Sequence, residues 1–152
     1  MAKIRASLAD VSTEYVLPDP GPYVFRVKEI TENVSKEKAP KSGMDVERVT
    51  YVVKSVIVRD LDGNEDHVNK PVFDYINIHT KEGELNDISL ANLKRYFEAI
   101  IPERADAEDA DTDELVNGEF QAQLYHDSYE DKNTKEERHS AKIKSSSIQP
   151  VS

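Results

Sequence analysis

The 152-residue chain contains no cysteine. That absence removes disulfides, thiolate nucleophiles and thiolate metal sites together, and it suits a reducing cytosol. Glycine is scarce as well: five residues, no two of them closer than 20 positions. Walker loops and dinucleotide fingerprints need clustered glycines, so neither is present, and no Gly-x-Ser-x-Gly elbow occurs. No stretch approaches the ~20 apolar residues of a membrane helix, and residues 1–11 lack the apolar centre of a signal peptide. These absences lead us to expect one soluble, cytoplasmic domain that acts by binding and is not an enzyme.

Positive charge is in deficit, with 20 Lys and Arg against 30 Asp and Glu and a formal net charge of −10. Such a balance argues against a polyanionic partner, because long-range repulsion forfeits steering. The distribution changes that argument. Residues 103–119 hold eight acids and one base, Arg104, so this segment carries −7 and everything else only −3. Two roles fit the segment: a solvated linker into the following strand, or a surface that shields a groove or recruits a basic protein.

Glycine and proline punctuate the chain. Pro18-Asp19-Pro20-Gly21-Pro22 forbids a helix, so residues 1–22 read as an arm and the ordered domain as residues 23–144, with residues 145–152 a polar tail. Residues 23–30 alternate in the period of a strand, with Tyr23, Phe25 and Val27 on one face. Residues 32–45 are polar and read as a long basic loop carrying Lys36, Lys38 and Lys41. A second strand, residues 46–59, is rich in β-branched residues and long enough to bulge midway. Asp60-Leu61-Asp62-Gly63-Asn64 then signals a hairpin turn, and its EF-loop likeness fails because the required glycine and glutamate positions hold Glu65 and Pro71.

Residues 72–79 make a third strand whose alternation is clean except for Asp74. From Ser89 the period changes: Leu90, Leu93 and Phe97 recur at helical spacing, with Asp87 or Ser89 as cap and Pro102 as stop. Strands four (from Phe120) and five (residues 138–144) flank a turn at Asp131-Lys132-Asn133. Pairing symmetric about Lys132 and Asn133 sets His126 opposite His139, but two histidines are not a metal site. No metal or cofactor is expected.

Three strands, a helix and two strands is the order of an oligonucleotide/oligosaccharide-binding (OB) barrel, five-stranded and partly open, with its helix between strands three and four. Any small α+β sheet with one helix satisfies the same periodicities. A single-strand binder needs exposed aromatics for base stacking and cations along the backbone path. If Val72, Ile76 and Ile78 face the core, Phe73 and Tyr75 point outward, with Tyr51 of strand two beside them. Arg26, Lys28, Arg48, Lys54, the loop lysines Lys36, Lys38 and Lys41, and Lys142 and Lys144 form the expected positive rim.

The pattern Leu17-Pro18-x-Pro20-Gly21-x-Tyr23, Lys41-Ser42-Gly43-Met44, Leu90-x-x-Leu93-x-x-x-Phe97 and Leu115-Val116-Asn117-Gly118-x-Phe120-x-Ala122 resembles a bacteriophage family from replication and recombination gene clusters. Its members are taken to be single-stranded DNA-binding barrels. Where they carry a Gly-Arg/Lys-x-Leu/Val-Phe run, this chain has Asn69-Lys70-Pro71-Val72-Phe73. The resemblance implies a non-sequence-specific single-stranded DNA-binding protein of phage replication or recombination, working in the host cytoplasm. Implied partners are single-stranded DNA, phage or host replication proteins at residues 103–119, and further copies of the chain. Residues 145–152 lack an acidic tip for recruitment. The alternative function is an acidic phage adaptor or inhibitor that imitates nucleic acid; a virion component is a third.

Overall fold

The computed structural model describes Lys3, Ser7, Ala9 and residues 16–152; most of the expected arm lies outside these described residues. Period-2 patterning builds five strands: β1 (Gly21–Lys38), β2 (Asp45–Asp60), β3 (Pro71–Asn77), β4 (Glu119–Glu130) and β5 (Glu137–Ile143). One helix, α1 (Asp87–Ile100), follows β3 in the chain. All ladders are antiparallel and run in the order β3-β2-β1-β4-β5. The result is an antiparallel five-stranded sheet with a helix. Among the described residues no ladder joins β3 to β5, so the sheet is not closed by backbone hydrogen bonds.

The expected loop at residues 32–45 is mostly strand. β1 continues to Lys38 and pairs with β2 as far as Asp45, leaving only a tight connection around Gly43, whose φ is +69°. Apolar alternation was absent because residues 31–38 are exposed throughout, so this half of β1 had no core to match. Two bulges interrupt the β1–β2 ladder. The extra residues are Val58, near the end of β2 rather than its middle, and Lys28 on β1. Bulges of this kind bend the strands and increase twist.

Tyr23, Phe25, Val27, Val53, Ile57, Val72, Ile76, Phe120, Ala122, Leu124 and Ile143 form the inner face of the sheet, with Tyr96, Phe97 and Ala99 of α1 against it. The helix starts one step earlier than its sequence suggests: Asn86 is the cap, its side chain accepting from the amides of Ile88 and Ser89 at 3.1 and 3.3 Å. Leu90 and Leu93 are only partly buried, while Tyr96, absent from the expected helical stripe, is fully enclosed. Residues 145–152 are not a free tail. Ile148 enters the core, and Gln149 exchanges two backbone hydrogen bonds with Gln121 at 2.9 and 3.0 Å.

Asp74 breaks the alternation of β3 because it too points inward. Tyr96 Oη donates to its Oδ2 at 2.5 Å. Burial raises the Asp74 pKa, and the Tyr96 hydrogen bond and the Lys142 charge oppose that rise. A folded-state pKa above the unfolded one means that the ionised carboxylate costs stability once pH exceeds the ordinary value of 3.8, and costs nothing below it. Tyr96→Phe removes the donor that softens this cost. The expected loss is about 1–3 kcal/mol at neutral pH, shrinking in acid as Asp74 protonates; urea unfolding across pH measures it. An equal loss at every pH would overturn this account.

Gly118 marks where β4 meets β1: Val27 N–H donates to its carbonyl at 2.9 Å, and Asn117 N–H donates to the Val27 carbonyl at 2.8 Å. A Cβ there would run into Ile100 Cγ2 and reach 3.0 Å from the Leu115 carbonyl oxygen. Gly118→Ala is expected to lower the unfolding free energy by about 1–3 kcal/mol, the usual cost of overpacking, in the same urea assay.

Candidate nucleic-acid interface

β3 and β5 are the two outer strands of the ladder, and the curl of the sheet brings them side by side. Between them opens a cleft of about 530 Å³ lined by Leu17, Pro71, Val72, Phe73, Tyr75, Tyr129, His139, Ser140, Ala141 and Lys142. That volume falls in the range of small-ligand sites, ~300–1,000 Å³.

Register explains why aromatic rings line it. Val72 and Ile76 stand opposite Ser55 and Tyr51, whereas Phe73 stands opposite Lys54 and Tyr75 opposite Val52. Cross-strand partners share a face, so the buried positions of β3 commit Phe73 and Tyr75 to the other one. Phe73 is 44% exposed and Tyr75 66%. Tyr129 of β4, 57% exposed, joins them across the cleft, and Tyr125, 43% exposed, stands opposite Lys142. The sequence reading missed both tyrosines. Their signal was parity: each is an odd number of positions from the buried Phe120, Ala122 and Leu124.

Tyr51 does not join this set. It lies on the core face opposite Ile76, beside Leu90, Leu93 and Phe97, and burial together with a hydrogen bond to Glu32 raises its pKa. Its face is set by the register of β2 against β3, which the residues of strand two do not carry by themselves.

The expected positive rim is only partly assembled. Lys54 is beside Phe73, and Lys142 lines the cleft. Lys142 Nζ is 2.9 Å from Asp127 Oδ2; this contact raises the lysine pKa and lowers that of the aspartate. Arg26 is held by Glu119 at 2.6 Å, and Arg48 is paired with Glu37. Lys28 occupies the β1 bulge. Lys36 and Lys38 stand opposite Glu47 and Asp45 on the projecting hairpin, with Lys41 in its turn, so these three lie away from the cleft. Lys144 follows β5, its amide donating to the Gln123 carbonyl at 2.9 Å.

The two histidines of the second hairpin are not opposite each other. The ladder pairs His126 with Ala141 and His139 with Ser128, because Glu130 pairs with Glu137 and the turn is centred later than Lys132 and Asn133 suggest. His126 instead donates through Nε2 to the Pro18 carbonyl at 2.6 Å. The segment carrying Leu17 is held by three further bonds. Lys70 Nζ donates to the Val16 carbonyl (2.9 Å), Tyr23 Oη to the Asp19 carbonyl (2.7 Å), and His67 Nε2 meets Asp19 Oδ2 (3.2 Å). Lys70 also lies 2.9 Å from His67 Nδ1; because lysine only donates, His67 carries its proton on Nε2. Thus residues 16–19 strap one end of the cleft.

Among the described residues no helix is long and apolar enough to cross a membrane. The sequence matches no protein-family model and aligns significantly with no curated protein. The phage resemblance therefore rests on the motifs quoted above.

The strap has a testable anchor. His126→Ala is expected to accelerate amide exchange at Leu17 and Asp19 while leaving Phe120, Ala122 and Leu124 of β4 unchanged, as measured by hydrogen–deuterium exchange. Unchanged exchange at Leu17 would show that His126 does not hold the segment.

Proposed function

We propose that the chain is a single-stranded DNA-binding protein of the OB-like class, acting without sequence preference in phage replication or recombination. The observation that carries this reading is the cleft between β3 and β5, where Phe73, Tyr75 and Tyr129 are exposed together beside Lys54 and Lys142. Exposing several large rings at one place costs solvation unless a ligand covers them, and nucleobases cover rings without regard to sequence. The strand order, with outer strands adjacent across an unpaired gap, supports a partly open barrel. Lysines beside the rings would neutralise phosphates as bases stack.

A second reading is favoured by the charge pairing. Arg26, Arg48, Lys94, Arg104, Arg138 and Lys142 all have carboxylate partners, and these pairs offset part of the positive charge of a protein whose net charge is already −10. An acidic adaptor or inhibitor that imitates nucleic acid would carry such a surface.

Fluorescence anisotropy of labelled oligothymidine separates the two. The strand-binding reading expects saturable binding at about 50 mM salt that weakens by orders of magnitude near 200 mM. Phe73→Ala and Tyr75→Ala should each reduce affinity about 5- to 150-fold, the equivalent of ~1–3 kcal/mol per stacked base, while Tyr51→Phe leaves it unchanged. Asp127→Asn, which releases Lys142, should strengthen binding. No binding at the lower salt overturns this reading in favour of the adaptor.

A further inference from the structure

A second groove, of about 450 Å³, lies on the core-face side of β2, where α1, Tyr51 and the acidic segment converge. Its floor is Leu90, Leu93 and Phe97, at positions i, i+3 and i+7 on one side of α1, together with Tyr51. Leu90, Leu93 and Tyr51 are only partly buried: Leu93 and Tyr51 pack against the core, and all three line the groove. Ala105, Ala107 and Ala110 form the far wall, and their short side chains keep it open.

The rim is anionic. Arg104 takes Asp109 at 3.0 Å and Glu114 at 2.8 Å, and Lys94 takes Asp106 at 2.7 Å. Those pairs order the segment but do not neutralise it. Asp111 and Glu32 line the groove and form no ion pair among the described residues, while the lining Lys94 is matched by Asp106. Glu103, Glu108 and Asp113, elsewhere on the same segment, are likewise without an ion pair among the described residues. The segment is built rather than loose: Asp111 and Glu114 make a reciprocal capping box, and Leu115 behind them is fully buried.

An apolar floor inside an acidic rim selects its occupant. Phosphates are repelled, and a bare cation gains nothing from leucine and phenylalanine. We propose that this groove docks a peptide segment of another protein in which a leucine- or phenylalanine-sized side chain is flanked by lysine or arginine. The apolar side chain supplies affinity by desolvation in the groove; the flanking cations meet the rim and accelerate encounter. This inference does not depend on the nucleic-acid reading. Tyr51 and the groove lie on the core-face side of β2, while Phe73 and Tyr75 stand on the other face, so both surfaces are open at once.

The test uses the full chain and a short fluorescein-labelled peptide of alternating lysine and leucine, with a lysine–serine peptide as control. The expected result is saturable binding of the lysine–leucine peptide and much weaker binding of the control. Ala107→Trp, which fills the groove without changing charge, should weaken the first about tenfold and leave the second unaltered. Equal binding of the two peptides, an unaffected Ala107→Trp variant, or no binding at all overturns the proposal. In case the variant misfolds, amide chemical shifts of the unmodified protein are a second readout. Peptide-induced changes centred on Leu93, Phe97, Ala107 and Asp111 support the groove; changes centred on Phe73 and Tyr75, or the same amides responding to oligothymidine, overturn it.

Discussion

Phe120 stacks on Phe25 with ring centroids 5.2 Å apart and receives the edge of Tyr96 at 5.1 Å, while Tyr23 tilts onto Phe25 at 6.0 Å. This aromatic quartet joins β1, β4 and α1, and the other elements are arranged around it. Rings of this size bury roughly 150–250 Å² each, which at ~25 cal/mol per Å² is about 4–6 kcal/mol per ring before entropy is counted. Exposed ion pairs contribute about 0–1 kcal/mol each, so the eight Lys and Arg pairs among the described residues tune the surface and do not decide the fold.

The position of the quartet fixes where function can reside. With β1 central, β2 and β4 take its two sides, and β3 and β5 are left as outer strands whose neighbouring edges meet across a gap. Near that gap Asp74 on β3 accepts from Tyr96 of α1, and the Lys142 charge on β5 helps to hold its pKa down. The cleft beside it is lined by Phe73 and Tyr75 of β3 and Tyr129 of β4. On the other face of β2 the helix leaves a second concavity, lined by the residues that complete neither its own packing nor that of the acidic segment. One concavity is lined by exposed rings with Lys142 at its side, and the other by leucines, a phenylalanine and alanines with Glu32 and Asp111 at its edge.

Much of the architecture was legible in the residues. Strong alternation in Tyr23, Phe25 and Val27, in Val72 and Ile76, and in Phe120, Ala122 and Leu124 located three strands, because a half-buried strand must alternate. Asn86 was a less obvious cap than Asp87, though any short acceptor can fill that role. The projecting half of the β1–β2 hairpin was invisible for the opposite reason: a strand solvated on both faces carries no pattern. Tyr51 lies on the core face because it shares parity with the buried Val53, Ser55 and Ile57 and stands opposite Ile76, a face that only the pairing with β3 identifies. His126 and Ile148 found their partners through contacts spanning the chain, with no local signature.

From the residues alone came the scarcity of glycine that rules out phosphate loops, the strand and helix periods, the aromatic pair on β3, and the concentration of negative charge in one segment. Each is a property of composition or of short-range spacing, so each can be read without knowing who touches whom. Which rings share a cleft, which lysines are consumed by carboxylates, and that the acidic segment rims an apolar groove were decided only by tertiary structure. Those facts depend on register and on long-range closure of the sheet, where a shift of one residue exchanges every inward side chain for an outward one.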